Sequence, residues 1–305
     1  MHTSLAAAHR RSNTGLACLV TSGVLWGTGG LFGSLLTTIV GLSPLAVAAY
    51  RLLLGGVIIA VFLILARRPL PRGRAAWTRL VLIAGLSALF QGCYFGAVRL
   101  TSVSLATLIT IAAGPVLMLA IERITGRCKV NRWMIATIVL SLAGLALLVG
   151  LPSGGFAVTA LFGSAGLSLL AAAGFVAVTL LGARPVHALD DLTTIGISFT
   201  IGGLFLAPVV EMTTGLAFHP SLAALGLLLG LATAPTAVAY TLYFRGLRSV
   251  SATVATIVTL LEPLTAAVLG AFLLGDQLGI TGMTGALMLA AAVVVAPKAH
   301  PSMAN

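Results

Sequence analysis

Two ionisable side chains sit inside long apolar stretches of this sequence: Arg51 in AAYRLLLGG and Glu262 in TLLEPLTA. A charge in hydrocarbon is costly, so such residues persist because they have a partner or a function. At about 1.5 Å per residue, Glu262 falls ~15 Å from either end of its stretch and Arg51 ~10 Å below the nearer surface. Those depths are compatible with pairing. For both residues one reading is structural, an ion pair or a helix-cap partner. For Glu262 the other is chemical: a carboxylate that takes up a proton or an ammonium group. Pro115, in another apolar run, and Pro263, next to Glu262, stand at similar places in the two halves of the chain, and each removes a backbone donor there. An ordinary kink is one consequence; carbonyls freed to face a cavity, with a structural or gating role, are another.

Trp26, Gln91, Tyr94, Thr110, Tyr240 and Thr259 are polar or amphipathic groups within or near the ends of apolar runs. Small-molecule pockets are mostly apolar with a few placed polar groups, and these six together with Glu262 suit such a wall. Taken singly, each also suits an interhelical hydrogen bond or an interfacial aromatic anchor.

Other chemistries lack their parts. His2, His9, His187, His219 and His300 all lie in tails or between apolar runs, which argues against a His-ligated metal or a Ser–His nucleophile in the membrane. Cys18, Cys93 and Cys128 show no CxxC spacing, so neither a metal site nor a disulfide framework is implied. No GxxxxGK[ST] occurs, so ATP is not the direct driver. The expectation is a protein that is not an enzyme, with no catalytic residue, no metal and no cofactor.

The elements that must position these residues follow from composition. Of 305 residues, 59% are hydrophobic and 8% charged, where a soluble domain carries about a quarter charged. A helix needs about 20 apolar residues to cross a bilayer, and ten such segments can be marked. They are Gly15–Leu36, Pro44–Ala66, Trp77–Val98, Val103–Ile124, Trp133–Gly150, Thr159–Leu181, Leu192–Met212, Leu222–Phe244, Ala252–Leu274 and Ile280–Ala296. Arg10 and Arg11 precede the first run, which is long and lacks a cleavage site, so it reads as a retained helix and not a signal peptide. The pairs Gly23 and Gly27, Gly92 and Gly96, and Gly226 and Gly230 have the spacing of close helix contacts.

With the N-terminus inside, Arg67, Arg68, Arg72, Arg74, Arg123, Arg127, Lys129, Arg132, Arg184, Arg245, Arg248 and Lys298 fall on the cytoplasmic side, and only Arg99 falls outside. The positive-inside rule therefore selects cytoplasmic N- and C-termini. The net charge of +11 sits in these short clusters and not along one polar face, so the partners are a lipid bilayer and a small-molecule substrate, with no nucleic acid.

The two halves match. Tyr94–Ile111 (YFGAVRLTSVSLATLITI) and Tyr243–Leu260 (YFRGLRSVSATVATIVTL), 149 positions apart, share Tyr, Phe, Arg, Ser, Ala and two Thr. Five spans per half is an odd number, so the second copy enters from the opposite side. The fold class is thus all-α integral membrane, ten helices in two inverted five-helix repeats, residues 1–152 and 153–305. Inverted repeats are common in secondary transporters, whose sites lie near the midplane between them and are marked by paired helix breaks.

At these residues the sequence resembles the drug/metabolite transporter superfamily, in its EamA-type ten-helix branch. The resemblance rests on Trp26–Gly27 in the first helix, Arg51 in the second, and the Tyr94 segment leading to Gly114 and Pro115. In the second half it rests on LRSVSATVATIVTLLEP, LLGDQLG around Asp276 and a glycine-rich last helix. Asp276 stands where the family pattern has Glu, and the first-half copy near Gly126 lacks the acid. The resemblance implies a central cavity, alternating access in the inner membrane and export of amino acids or related metabolites. Efflux of hydrophobic or cationic compounds implies a more aromatic cavity and heavier reliance on Glu262; a passive channel or facilitator is the alternative of another class.

Overall fold

The computed structural model describes residues 2–126, 130–150, 155–186, 189–275 and 277–299. Cys128, His187, Asp276 and the boundary placed at residues 152 and 153 lie outside the described residues. Ten helices are long and apolar enough to cross a membrane. They are α1 (Asn13–Ile39), α2 (Pro44–Leu65), α3 (Arg74–Leu100), α4 (Val103–Ile124), α5 (Arg132–Val149), α6 (Val158–Gly182), α7 (Asp191–Thr213), α8 (Leu222–Gly246), α9 (Ala252–Leu273) and α10 (Gly279–Lys298). Each matches one segment expected from the sequence, and no named strand is present among the described residues.

Helix starts are set by local chemistry. Ser43, Ser102, Asn131, Asp190, Ser221 and Ser251 each accept, through the side chain, the backbone N–H three residues on. Such caps satisfy donors orphaned at a helix N-terminus, worth about 1 kcal/mol apiece. Ser102 and Ser251 are equivalent residues of the two matching segments. Their shared role starts α4 and α9 at the same point of each repeat.

Packing shows how the repeats relate. The helix α2 packs on α7, and α5 on α10, so each of these helices meets its own counterpart. The α3–α6 contact is matched by α1 on α8, and α4–α6 by α1 on α9. Direction follows from close approaches. A Cβ at Gly203 would meet the Leu53 backbone at 2.6 Å, one at Gly56 the Thr200 N–H at 2.2 Å, and one at Gly196 the Ile59 side chain at 2.7 Å. Numbers rise along α2 as they fall along α7, so the self-paired helices run antiparallel, as a two-fold axis in the membrane plane requires. Among the expected glycine pairs, Gly23 and Gly27 pack against α9, whereas Gly226 has nothing within 4 Å. Spacing alone does not tell a helix face turned to protein from one turned outward.

Among the described residues, the second half carries helix irregularities that the first does not. A π-helical turn interrupts α8 at Thr233–Val238, α9 breaks at Thr259–Leu260, and a second π turn, Gly270–Leu274, closes α9. By contrast α4 runs unbroken through Pro115. The paired breaks anticipated at Pro115 and Pro263 are therefore one break, in α9 only. Elsewhere the structure reports helix ends within three residues of the expected ones.

Candidate functional site

The π turn in α8 and the break in α9 place the two membrane charges. Pro235 has no N–H to offer the Leu231 carbonyl one turn back, and the Thr236 hydroxyl donates to that carbonyl instead, at 2.7 Å. The same hydroxyl oxygen accepts Arg51 Nε at 3.3 Å, and the Pro235 carbonyl accepts Arg51 Nη2 at 3.2 Å. The guanidinium thus reaches from α2 to the polar notch in α8, and lies 6.0 Å from the Tyr240 ring centroid. At the other charge, Pro263 likewise leaves the Thr259 carbonyl without its usual donor, and the Glu262 N–H takes it at 2.9 Å. Glu262 follows directly on the Thr259–Leu260 break, where α1 lies close: a Cβ at Gly27 would be 2.8 Å from the Glu262 carbonyl oxygen.

Between the repeats lies a cavity of about 470 Å³. Trp26, Arg51, Gln91, Tyr94, Thr110, Tyr240, Thr259 and Glu262 all line it; Pro115 and Pro263 do not. Sequence reasoning missed three more aromatic walls, Phe90, Phe95 and Phe175. Phe175 was within reach, because it stands 149 residues after Trp26 and is its counterpart in the second repeat. The mouth is at the end carrying the α1–α2 and α3–α4 connections, where the lining residues Ser34, Pro44 and Val103 are exposed.

The cavity floor is aromatic. The Trp26 ring meets those of Tyr240, Tyr243 and Phe175 at centroid distances of 4.8, 4.9 and 6.0 Å. Tyr243 is fully buried beneath, with its hydroxyl 3.0 Å from that of Thr179.

Arg51 and Glu262 face one cavity but form no ion pair with each other; among the described residues the ion pair is Arg248 with Asp191. The structural pairing anticipated for them is absent. Glu262 has no side-chain hydrogen bond to the protein among the described residues, whereas Arg51 is tethered. Three further lining groups are buried without a hydrogen-bond partner: Trp26 Nε1, Gln91 Nε2 and Thr110 Oγ1. Buried polar atoms are rarely left unpaired. Here they cluster around one space, together with a cation and a carboxylate, so the wall can donate hydrogen bonds and oppose two charges of different sign.

A further ionisable residue within the spans was also missed. Glu122 looks like part of the Arg123 charge cluster in sequence, yet it is 8% exposed and accepts a hydrogen bond from Thr253 Oγ1 of α9. Among the described residues, no group of three or more His, Cys, Asp or Glu side chains could hold a metal ion.

Comparison with known proteins gives this arrangement its relatives. A Bacillus subtilis (strain 168) protein described as an uncharacterized transporter, YwfM, is 32% identical over 275 residues, spanning 88% of this chain and 89% of that one. A chloroplastic WAT1-related protein of Arabidopsis thaliana is 28% identical over 288 residues, covering 90% of this chain and 67% of its own length. A solved crystal structure superposes with a TM-score of 0.80 over 96% of this chain and 99% of its own, at 16% identity, which establishes a shared fold. The profile of the EamA-like transporter family matches twice, over residues 13–150 and 163–296, so that each match takes in five of the ten helices. With two antiparallel copies of that unit around one cavity, this multi-pass membrane protein belongs to the EamA-like transporter family.

Proposed function

We propose that the protein is a secondary carrier that exports amino acids or related small metabolites across the inner (cytoplasmic) membrane by alternating access. The observation that carries this reading is Arg51 and Glu262 on the wall of one cavity without pairing to each other. A zwitterion satisfies both, its carboxylate toward Arg51 and its ammonium toward Glu262, with Trp26, Gln91 and Thr110 offering further polar contacts. Desolvated charges of opposite sign are otherwise costly to maintain. The loop cations support cytoplasmic termini, which makes the present state open to the outside. The repeat boundary belongs between residues 152 and 153, and the two halves rock about the cavity.

The six aromatic lining residues, Trp26, Phe90, Tyr94, Phe95, Phe175 and Tyr240, favour a second reading, efflux of hydrophobic or cationic compounds. Arg51 disfavours the cationic part of it, because it repels a ligand that Glu262 attracts. A channel is the third class, and the packed floor under Trp26 weighs against a continuous path.

Purified protein in proteoliposomes, tested with radiolabelled amino acids and with a lipophilic cation, decides among the three. Saturable uptake of an amino acid with counterflow supports the carrier. Flux that is linear in concentration and shows no counterflow would overturn it in favour of a channel. Transport of the lipophilic cation alone would select efflux.

A further inference from the structure

The matching segments of the two repeats are in different states. Tyr94 and Thr107 are the counterparts of Tyr243 and Thr256, each pair 149 residues apart. In the first repeat the Tyr94 hydroxyl lies 2.7 Å from that of Thr107, and both residues line the open cavity. In the second repeat Tyr243 has left the equivalent partner: its hydroxyl is bonded to Thr179 of α6, while the Thr256 hydroxyl donates to the Thr253 carbonyl. Ring contacts differ in the same sense. Tyr243 packs against both Trp26 and Phe175, whereas Tyr94 packs against Phe90 and Phe95. At the helix starts the asymmetry repeats, with Val103 59% exposed at the mouth and its counterpart Ala252 6% exposed.

We propose that Tyr243 and Thr256 are the cavity-lining pair of the opposite state, and that Tyr243 exchanges Thr179 for Thr256 as the carrier turns over. In that state Tyr243 holds Thr256 as Tyr94 now holds Thr107, and Tyr94 takes the closing place on the Trp26–Phe175 floor. The exchange follows from the inverted repeat: halves related by a two-fold reach the second state by trading conformations. Thr179 then stabilises the present state alone and Thr256 the other alone. A ligand or a hydrogen bond shifts such an equilibrium only through its differential contribution to the two states. This inference rests on the alternating-access reading above.

The test uses full-length protein in detergent, with the native cysteines replaced and one reporter added, Val103→Cys or Ala252→Cys, labelled by a maleimide. Labelling at Val103→Cys reports the present state and at Ala252→Cys the other. If Ala252→Cys stays unreactive in the parent while Val103→Cys reacts, alternating access itself fails. If both react, the switch is tested separately. Thr179→Val lowers the Val103-to-Ala252 labelling ratio and Thr256→Val raises it, each about five-fold, the scale of one lost hydroxyl hydrogen bond. Thr179→Ser and Thr256→Ser restore the parent ratio, and Tyr243→Phe, which removes both bonds, leaves it within about two-fold. Shifts of the same sign in the two valine variants, or no shift in either, overturn the exchange. If a valine variant does not fold, Tyr243→Phe still decides: a ratio shifted as far as about five-fold means that Tyr243 bonds in one state only.

Discussion

Trp26 of α1 and Phe175 of α6 hold the same position in the two repeats, and their rings meet with centroids 6.0 Å apart. A residue that touches its own counterpart lies on the axis relating the halves. Both residues line the cavity, so the axis passes through the cavity floor. Across that axis the two copies differ: the Tyr94 hydroxyl lies against that of Thr107, and the Tyr243 hydroxyl against that of Thr179.

Glu262→Gln is expected to fold and to stay monodisperse, because among the described residues the carboxylate makes no side-chain hydrogen bond whose loss would unfold the protein. The amide keeps the shape but cannot exchange a proton or oppose an ammonium group. Amino-acid transport should fall at least about ten-fold, the effect of losing one charge-assisted contact, and its pH dependence should vanish. Retention of both the rate and the pH profile in proteoliposomes rules out a role for Glu262 in taking up a proton or an ammonium group.

Arg51 has a structural task as well, through Thr236 and Pro235. Arg51→Ala strips the notch in α8 of its donors, and hydrogen bonds to a charged group contribute about 1.5–3 kcal/mol. Thermal melts in detergent should shift down by several degrees, and transport should be lost. Arg51→Lys keeps the charge but offers a point donor in place of a planar fork. It should recover part of the stability and little of the transport. A melt for Arg51→Ala equal to that of the parent contradicts the tether.

Two glycines separate packing from composition. A Cβ at Gly27 would lie 2.4 Å from that of Thr265, whereas one at Gly226 meets nothing within 4 Å. Gly27→Val should cost about 1–3 kcal/mol or prevent folding by overpacking the α1–α9 contact. Gly226→Ala should be neutral or stabilise by up to about 1 kcal/mol, through helix propensity. Equal expression and equal melts for the two variants contradict the α1–α9 packing.

Orientation is tested at loops. The loop cations predict a cytoplasmic Cys128 and an outward-facing cysteine at Ser153. An impermeant thiol reagent on intact cells should mark Ser153→Cys and spare Cys128. The reverse pattern inverts the topology and turns the present state inward.

Much of this was legible in the sequence because lipid imposes a simple rule, one apolar helix per crossing. Arg51, Glu262 and the polar lining residues stood out for the same reason, as charged or polar groups inside apolar runs. What escaped has physical causes. The π turn at Pro235 depends on Thr236 taking over a carbonyl, and hydropathy does not register that. Glu122 was hidden because a carboxylate beside Arg123 reads as a solvated loop charge, although α9 covers it. Phe90 and Phe95 looked like any apolar helix residue, since facing a cavity and facing lipid demand the same hydrophobicity. The Tyr243 asymmetry is invisible in principle: the two segments carry the same Tyr and Thr, and only the conformation tells them apart.

The two cavity charges come from different copies of the repeat. Arg51 belongs to the first, where the second has Thr200; Glu262 belongs to the second, where the first has Ala113. Two identical units would present either charge twice or not at all, and a ligand could sit in two equivalent ways related by the axis. The difference between the copies removes that degeneracy: the cavity has a positive and a negative pole, and its wall tells the two headings of a dipole apart.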